Sequence, residues 1–172
     1  FPGLSMKSRQ TALMDCLAVL QSPNSLDLRY QPEAFRQSLP DRCRAMSLDA
    51  VGTMPTYAFG WLVAAFAGAA SSDWASMNEH LYLSQVTGRD SQWVAESRVA
   101  LAETHRAHLD ERARTGNDRD LALLVQSQRG VGTIAQRYIS DPAFRERITA
   151  IVETMPDSIQ RRFVGSLRYL TR

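Results

Sequence analysis

Apolar residues recur along this chain at helical spacing, and breaks rich in Pro, Gly, Asn and Asp punctuate them. The first such stretch covers residues 5–21, with Leu13, Leu17 and Leu20 on one face and Cys16 beside them. Ser22-Pro23-Asn24-Ser25 ends it, and residues 26–30 follow as a loop or short extended piece. Pro32, with Glu33 beside it, suits the first turn of a helix that carries Phe35 and Leu39 and meets Pro40. A further turn or short helix over 41–46 follows. Val51-Gly52-Thr53-Met54-Pro55 then opens a central helix over 56–70. Ala58, Ala64, Ala65, Ala67, Ala69 and Ala70 let neighbours approach it closely, while Tyr57, Phe59, Trp61 and Phe66 supply buried area.

Asp73 caps the next helix, over 74–86, and Thr87-Gly88 stops it. Ser91 caps a long helix reaching Thr115 and ended by Gly116-Asn117. Asp118 starts another that ends at Arg129-Gly130. A short helix over 133–140 and a stretch from Asp141-Pro142 to Met155 follow. Asp157 caps the last helix, whose Phe163, Leu167 and Leu170 make its buried stripe. Nothing alternates apolar and polar residues for long enough to demand a strand; residues 81–86 come nearest, and their flanks favour helix. The expectation is an all-α domain of seven to nine helices around an Ala- and aromatic-rich central helix. It spans 1–172 as a single unit, with any hinge near 87–91.

Composition narrows the class. With 172 residues, 44% of them apolar, the chain can bury a core and is not disordered. Two cysteines are too few for a disulfide scaffold, and in a reducing cytosol they stay unpaired. The longest apolar run, 57–70, makes about 21 Å of helix against a bilayer core of roughly 30 Å, so no membrane span is expected. The start lacks a basic segment followed by an apolar one, so no secretory signal is read, and position 1 is Phe1, which points to a fragment of a longer chain.

Charge is unevenly chosen more than unevenly placed. The formal net charge is only +2, with Lys7 the single lysine among 20 basic residues. A GC-rich bacterial genome accounts for that bias through its codons. Exclusion of ubiquitin-acceptor lysines, useful to a protein working inside a eukaryotic host, is the other account. From 117 onward nine basic residues face six acidic ones, far short of the footprint of a dedicated nucleic-acid binder.

Candidate chemistry is sparse. His105 and His108, three apart, would share a helix face, but H-x-x-H alone is short of a metal site, and the run 103–112 reads as a charged, solvated face. No metal and no cofactor are assigned. Cys16 reads as a small hydrophobe; Cys43, between Arg42 and Arg44, reads as an inert thiol or a thiolate stabilised by its neighbours. Arg129-Gly130-Val131-Gly132-Thr133 offers amides to an anion but has no Walker lysine, and a helix-to-helix turn explains it. Arg161, Arg168 and Arg172 make one stripe, extended by Arg137, Arg145 and Arg147, without outward aromatics to stack bases. Apolar residues in polar settings remain: Leu26, Leu28 and Tyr30 after Pro23, and Leu109 beside His108. They either tuck into the core or serve as anchors for a protein partner.

In its all-helical character, single lysine and lack of enzyme motifs, the chain resembles the XL-box of type III effectors from plant-pathogenic bacteria. Asn24-Ser25-Leu26 and Ala107-His108-Leu109 carry the placement of contacts. The resemblance implies an E3 ubiquitin ligase without a catalytic cysteine. It would bind a host ubiquitin-conjugating enzyme through Leu26, His108 and Leu109 and would be delivered into the host cytoplasm; otherwise the chain belongs in the bacterial cytoplasm. A non-catalytic helical interaction or regulatory domain is the alternative. A nucleic-acid-binding helical domain is the third.

Overall fold

In the computed structural model, which describes residues 6–171, all regular structure is helical. The order is α1 (Met6–Gln21), α2 (Leu26–Arg29), α3 (Glu33–Thr53), α4 (Ala58–Ala70), α5 (Trp74–Thr87) and α6 (Gln92–Thr104). A 3-10 turn, Arg106–His108, leads into α7 (Glu111–Gln126), α8 (Gly130–Ser140), α9 (Pro142–Glu153) and α10 (Asp157–Leu170). The all-α expectation and its central helix are thus met, with α2 only a single turn. No described helix is long and apolar enough to cross a membrane.

The middle of the first core is α4, in which every residue except Trp61 and Ala70 is buried. A helix apolar all round must be surrounded, and α1, α3, α5 and α6 pack about it. Its small residues set the spacing: a Cβ at Gly68 would come within 2.8 Å of the Met77 backbone nitrogen. Leu13, Leu17, Phe59, Leu62, Met77, Leu81 and Leu101 fill this core. A second core lies among α6 to α10, built from Val99, Leu121, Leu124, Ile134, Phe144, Ile148 and Phe163. Phe163 is buried in the stripe of α10, Leu167 packs against that core in part, and Leu170 is exposed.

Five boundaries differ from expectation, each for a physical reason. Residues 26–29 close one helical turn with Leu28 buried, where a loop or extended piece was expected. Pro40 does not end α3. Proline cannot donate to the Arg36 carbonyl, a loss of about 3 kcal/mol inside a helix, yet the chain beyond it buries Cys43, Ser47, Ala50 and Val51. The residues expected to open the central helix, Val51 to Thr53, are therefore the last turn of α3. The long helix from Ser91 breaks at 105–110. There Asn78, buried on α5, donates through Nδ2 to the His108 carbonyl (2.8 Å) and accepts at Oδ1 from the Asp110 amide (2.9 Å). Asp110 then caps α7 by accepting from the Ala113 amide at 2.8 Å. Gly116, Asn117 and Asp118 consequently lie inside α7 and neither end nor start a helix.

Between the two cores, which share α6 and α7, lies a buried ion pair. Arg98, wholly buried on α6, holds Asp120 of α7 with Nε–Oδ2 at 2.7 Å and Nη2–Oδ1 at 2.6 Å. Its remaining Nη1 donates to the carbonyls of Ser84 and Gly88 at 3.0 and 3.1 Å, bracing the turn where a hinge was placed. Burial raises the Asp120 carboxyl above the ordinary range, against the lowering effect of Arg98. A bidentate partner with all three guanidinium nitrogens engaged is the arrangement that makes such a burial tolerable.

Candidate functional site: an apolar cleft beside a Trp–His stack

Five helices leave a cleft of about 890 Å³ on the first core. Val19 and Leu20 come from α1, Leu28 from α2, Leu39 and Pro40 from α3, Phe66 from α4, and Leu101 from α6. The gap follows from side-chain size. The last turn of α4 offers only Ala69 and Ala70 where α1 and α6 part, so no bulky group fills the space. Its lining contains no carboxylate; Arg36 and His105 are the only titratable groups there, and Arg36 makes no ion pair or hydrogen bond through its side chain with any described residue.

One wall continues into an aromatic stack. His108 lies parallel to Trp74, ring centroids 3.9 Å apart and planes 5° apart, and His105 tilts against the same indole at 5.4 Å. Burial, and secondarily the charge of His108, lowers the His105 pKa below the imidazole range. A second pair, His80 on Trp61, stacks at 5.6 Å, and burial lowers the His80 pKa as well.

The anticipated contact residues scatter around this region. Leu26 is exposed on α2, which reaches the cleft through Leu28. His108 is exposed with one face on Trp74. Leu109 is buried in the first core at 3% exposure, so it is a packing residue and presents no side chain to a partner. His105 and His108 do not share a helix face: His105 terminates α6 and His108 lies in the 3-10 turn. Nor is 103–112 uniformly solvated. Glu103 is buried, accepting from Asn117 Nδ2 at 2.7 Å and pairing with Arg147 and Arg106. Among the described residues no group of three or more His, Cys, Asp or Glu could hold a metal ion.

The cysteines are paired. A disulfide joins Cys16 of α1 to Cys43 of α3 across a Cα separation of 5.6 Å, and both residues are buried. Neither a reactive nor an inert free thiol at Cys43 survives this finding; each cysteine sits on an inward face, and packing brings those faces together. The glycine-rich turn is spoken for too, since the Gly130 amide donates to Ser127 Oγ at 2.7 Å. Of the basic stripe, Arg137 pairs with Asp141, Arg145 donates to the Tyr138 and Ile139 carbonyls, and Arg147 pairs with Glu103, while Arg161 and Arg168 stay exposed and Arg172 lies outside the described residues.

Sequence reasoning overlooked Trp74, Asn78 and the Arg98–Asp120 pair. Only the first carried a signal, a tryptophan directly after a capping Asp73. No protein-family model, no curated protein and no solved structure significantly matches this chain.

Proposed function

We propose that this chain is a helical protein-interaction module and that the cleft is its contact surface. The cleft itself carries the reading: about 890 Å³ lined mainly by aliphatic and aromatic side chains with a few uncharged polar ones, no carboxylate and one unpaired guanidinium, Arg36. Such a surface suits the apolar face of an amphipathic segment whose polar edge is acidic. The exposed Leu26 and Tyr30 on the strap beside it extend the apolar area. Affinity would come from apolar burial, and orientation from Arg36 and His105.

The narrower reading, a ubiquitin ligase that docks a charged conjugating enzyme without forming a thioester, rests on the resemblance. Transfer by positioning needs no thiol from this chain, and with Cys16 bonded to Cys43 none is offered.

Ala70 and Ala100 line the cleft from exposed positions, so Ala70→Arg with Ala100→Trp fills it without touching the core. Helical peptides selected on the native chain are expected to lose at least tenfold in affinity, about 1.4 kcal/mol, for this double variant. Equal affinity for both proteins would overturn the cleft as the contact surface. A reconstituted reaction with activating enzyme, ATP, ubiquitin and a panel of conjugating enzymes tests the narrower reading. Chains formed by native protein and lost in the double variant support it; no chains with any enzyme remove it.

A further inference from the structure

A second hollow, of about 350 Å³, opens between α5, the 88–91 turn and α7, with Asp120 of the buried ion pair in its wall. Its chemistry is unlike that of the cleft. Arg89 and Arg119 reach it from exposed positions, and neither makes a hydrogen bond or ion pair with any described residue. Asp90, also exposed there, is equally unpartnered. Arg112 adds a third guanidinium, already shared with Glu79 at 2.8 Å and lying 4.7 Å over the Tyr82 ring.

A buried group in its wall is also left unsatisfied. Gln85 lines the hollow and is 6% exposed. Its Nε2 donates to the Ala113 carbonyl at 3.2 Å, which fixes the orientation of the amide, and its Oε1 has no partner. An unmet buried acceptor is a cost to the fold that a donor would relieve. Gly116 makes the placement possible: a Cβ there would stand 2.0 Å from Oε1.

The groups define a complement. Two unpaired guanidiniums call for an anion with several acceptor oxygens, and Asp90 and Gln85 Oε1 call for hydroxyl or amino donors on the same molecule. Val86, Leu123 and the part of the Tyr82 ring that Arg112 leaves open provide an apolar wall for C–H surface. We infer that this hollow binds a small phosphorylated polyol, of the size and kind of a sugar phosphate. Arg89 and Arg119 hold the phosphate, whose charge of nearly −2 exceeds what one guanidinium balances, and the two acceptors read its hydroxyls. A simple carboxylate would leave one arginine unmatched, and an unphosphorylated sugar would leave both. The site is independent of the cleft and of the interaction reading.

The probes are glucose 6-phosphate and ribose 5-phosphate, titrated into isotope-labelled protein and followed by amide and arginine Nε–H shifts. Glucose, ribose and inorganic sulfate serve as controls. The expected result is saturable binding with shifts at 85, 89, 116 and 119, tighter than sulfate by about tenfold or more, and absent with the bare sugars. Arg89→Ser and Arg119→Ser, at exposed unpaired positions, should each weaken binding about tenfold without changing the thermal midpoint. Gln85→Leu removes the hydroxyl reader. If that variant fails to fold, Asp90→Asn tests the same recognition, and a preference for glucose 6-phosphate over sulfate that shrinks supports it. Sulfate matching the sugar phosphates, shifts mapping elsewhere, or arginine variants that bind normally would each overturn the site. A single-stranded oligonucleotide binding more tightly at these arginines would overturn it in favour of a backbone-phosphate contact.

Discussion

The two cores solve the same problem with opposite materials. Around α4 large side chains fill the core but alanine and glycine on α4 set the spacing, so helices come close yet leave space where its last turn is small, and a disulfide ties α1 to α3. Among α7 to α10 the packing relies on Leu, Ile and Phe stripes of amphipathic helices, closed by arginines that reach backbone or carboxylate. Arg147 pairs with Glu103, and Arg162 donates to the Val125 and Gln126 carbonyls. Small residues buy close backbone approach at the expense of filled volume. The cleft consequently lies on the first core.

The junction gives the sharpest way to break this division. Arg98→Met leaves Asp120 buried without its partner and should cost about 3–5 kcal/mol, read as a lower urea midpoint. The pair Arg98→Met with Asp120→Leu should recover most of that loss; a double variant as unstable as the single would show that the ion pair is not the source. Next in size, Cys16→Ser with Cys43→Ser should cost about 3.5 kcal/mol for the 27-residue separation and speed amide exchange in α1 and α3. Exchange in α8 to α10 should stay unchanged, and acceleration there would mean the cores are not separable. Arg147→Ala removes one of the groups facing Glu103 but leaves Arg106 and Asn117, so about 1 kcal/mol is expected, confined to the second core and read by the same exchange experiment.

The smallest effect is a pH dependence confined to the first core. The folded pKa values of His80 and His105 are lowered, both chiefly by burial, so the unfolded chain takes up protons first. Stability should therefore be full above the ordinary imidazole value of about 6.5 and decline as pH falls from there through the lowered folded values. His80→Phe with His105→Phe should flatten that decline in a thermal-midpoint profile between neutral pH and the carboxylate range. A profile unchanged by both substitutions would sink the assignment.

How far the sequence reveals this molecule depends on whether a signal is local. Asp73 and Asp141 mark helix starts correctly because capping is a contact between neighbours, Ser91 marks one by position without a side-chain cap bond, and the stripe through Phe163 is visible because amphipathicity is periodic. The break at 105–110 is invisible because Asn78, some thirty residues away, supplies the hydrogen bonds that would otherwise be lost. Gly116-Asn117 looks like a stop for the same reason: only the tertiary contacts with Gln85 and Glu103 explain why a helix runs through it. The cleft escaped notice altogether, since it is made of what alanines omit. Leu26 was visible as an unplaced apolar residue, whereas the burial of Leu109 depends on how the turn folds back.

The bond between Cys16 and Cys43 has a topological consequence. It closes the chain into a covalent ring that contains α2 and the exposed strap around it. A protease that cuts at Arg29 opens the ring without releasing either piece, so a nicked molecule keeps its full mass until a reductant is added. The strap flanking the cleft can thus be severed while both of the walls it joins stay attached.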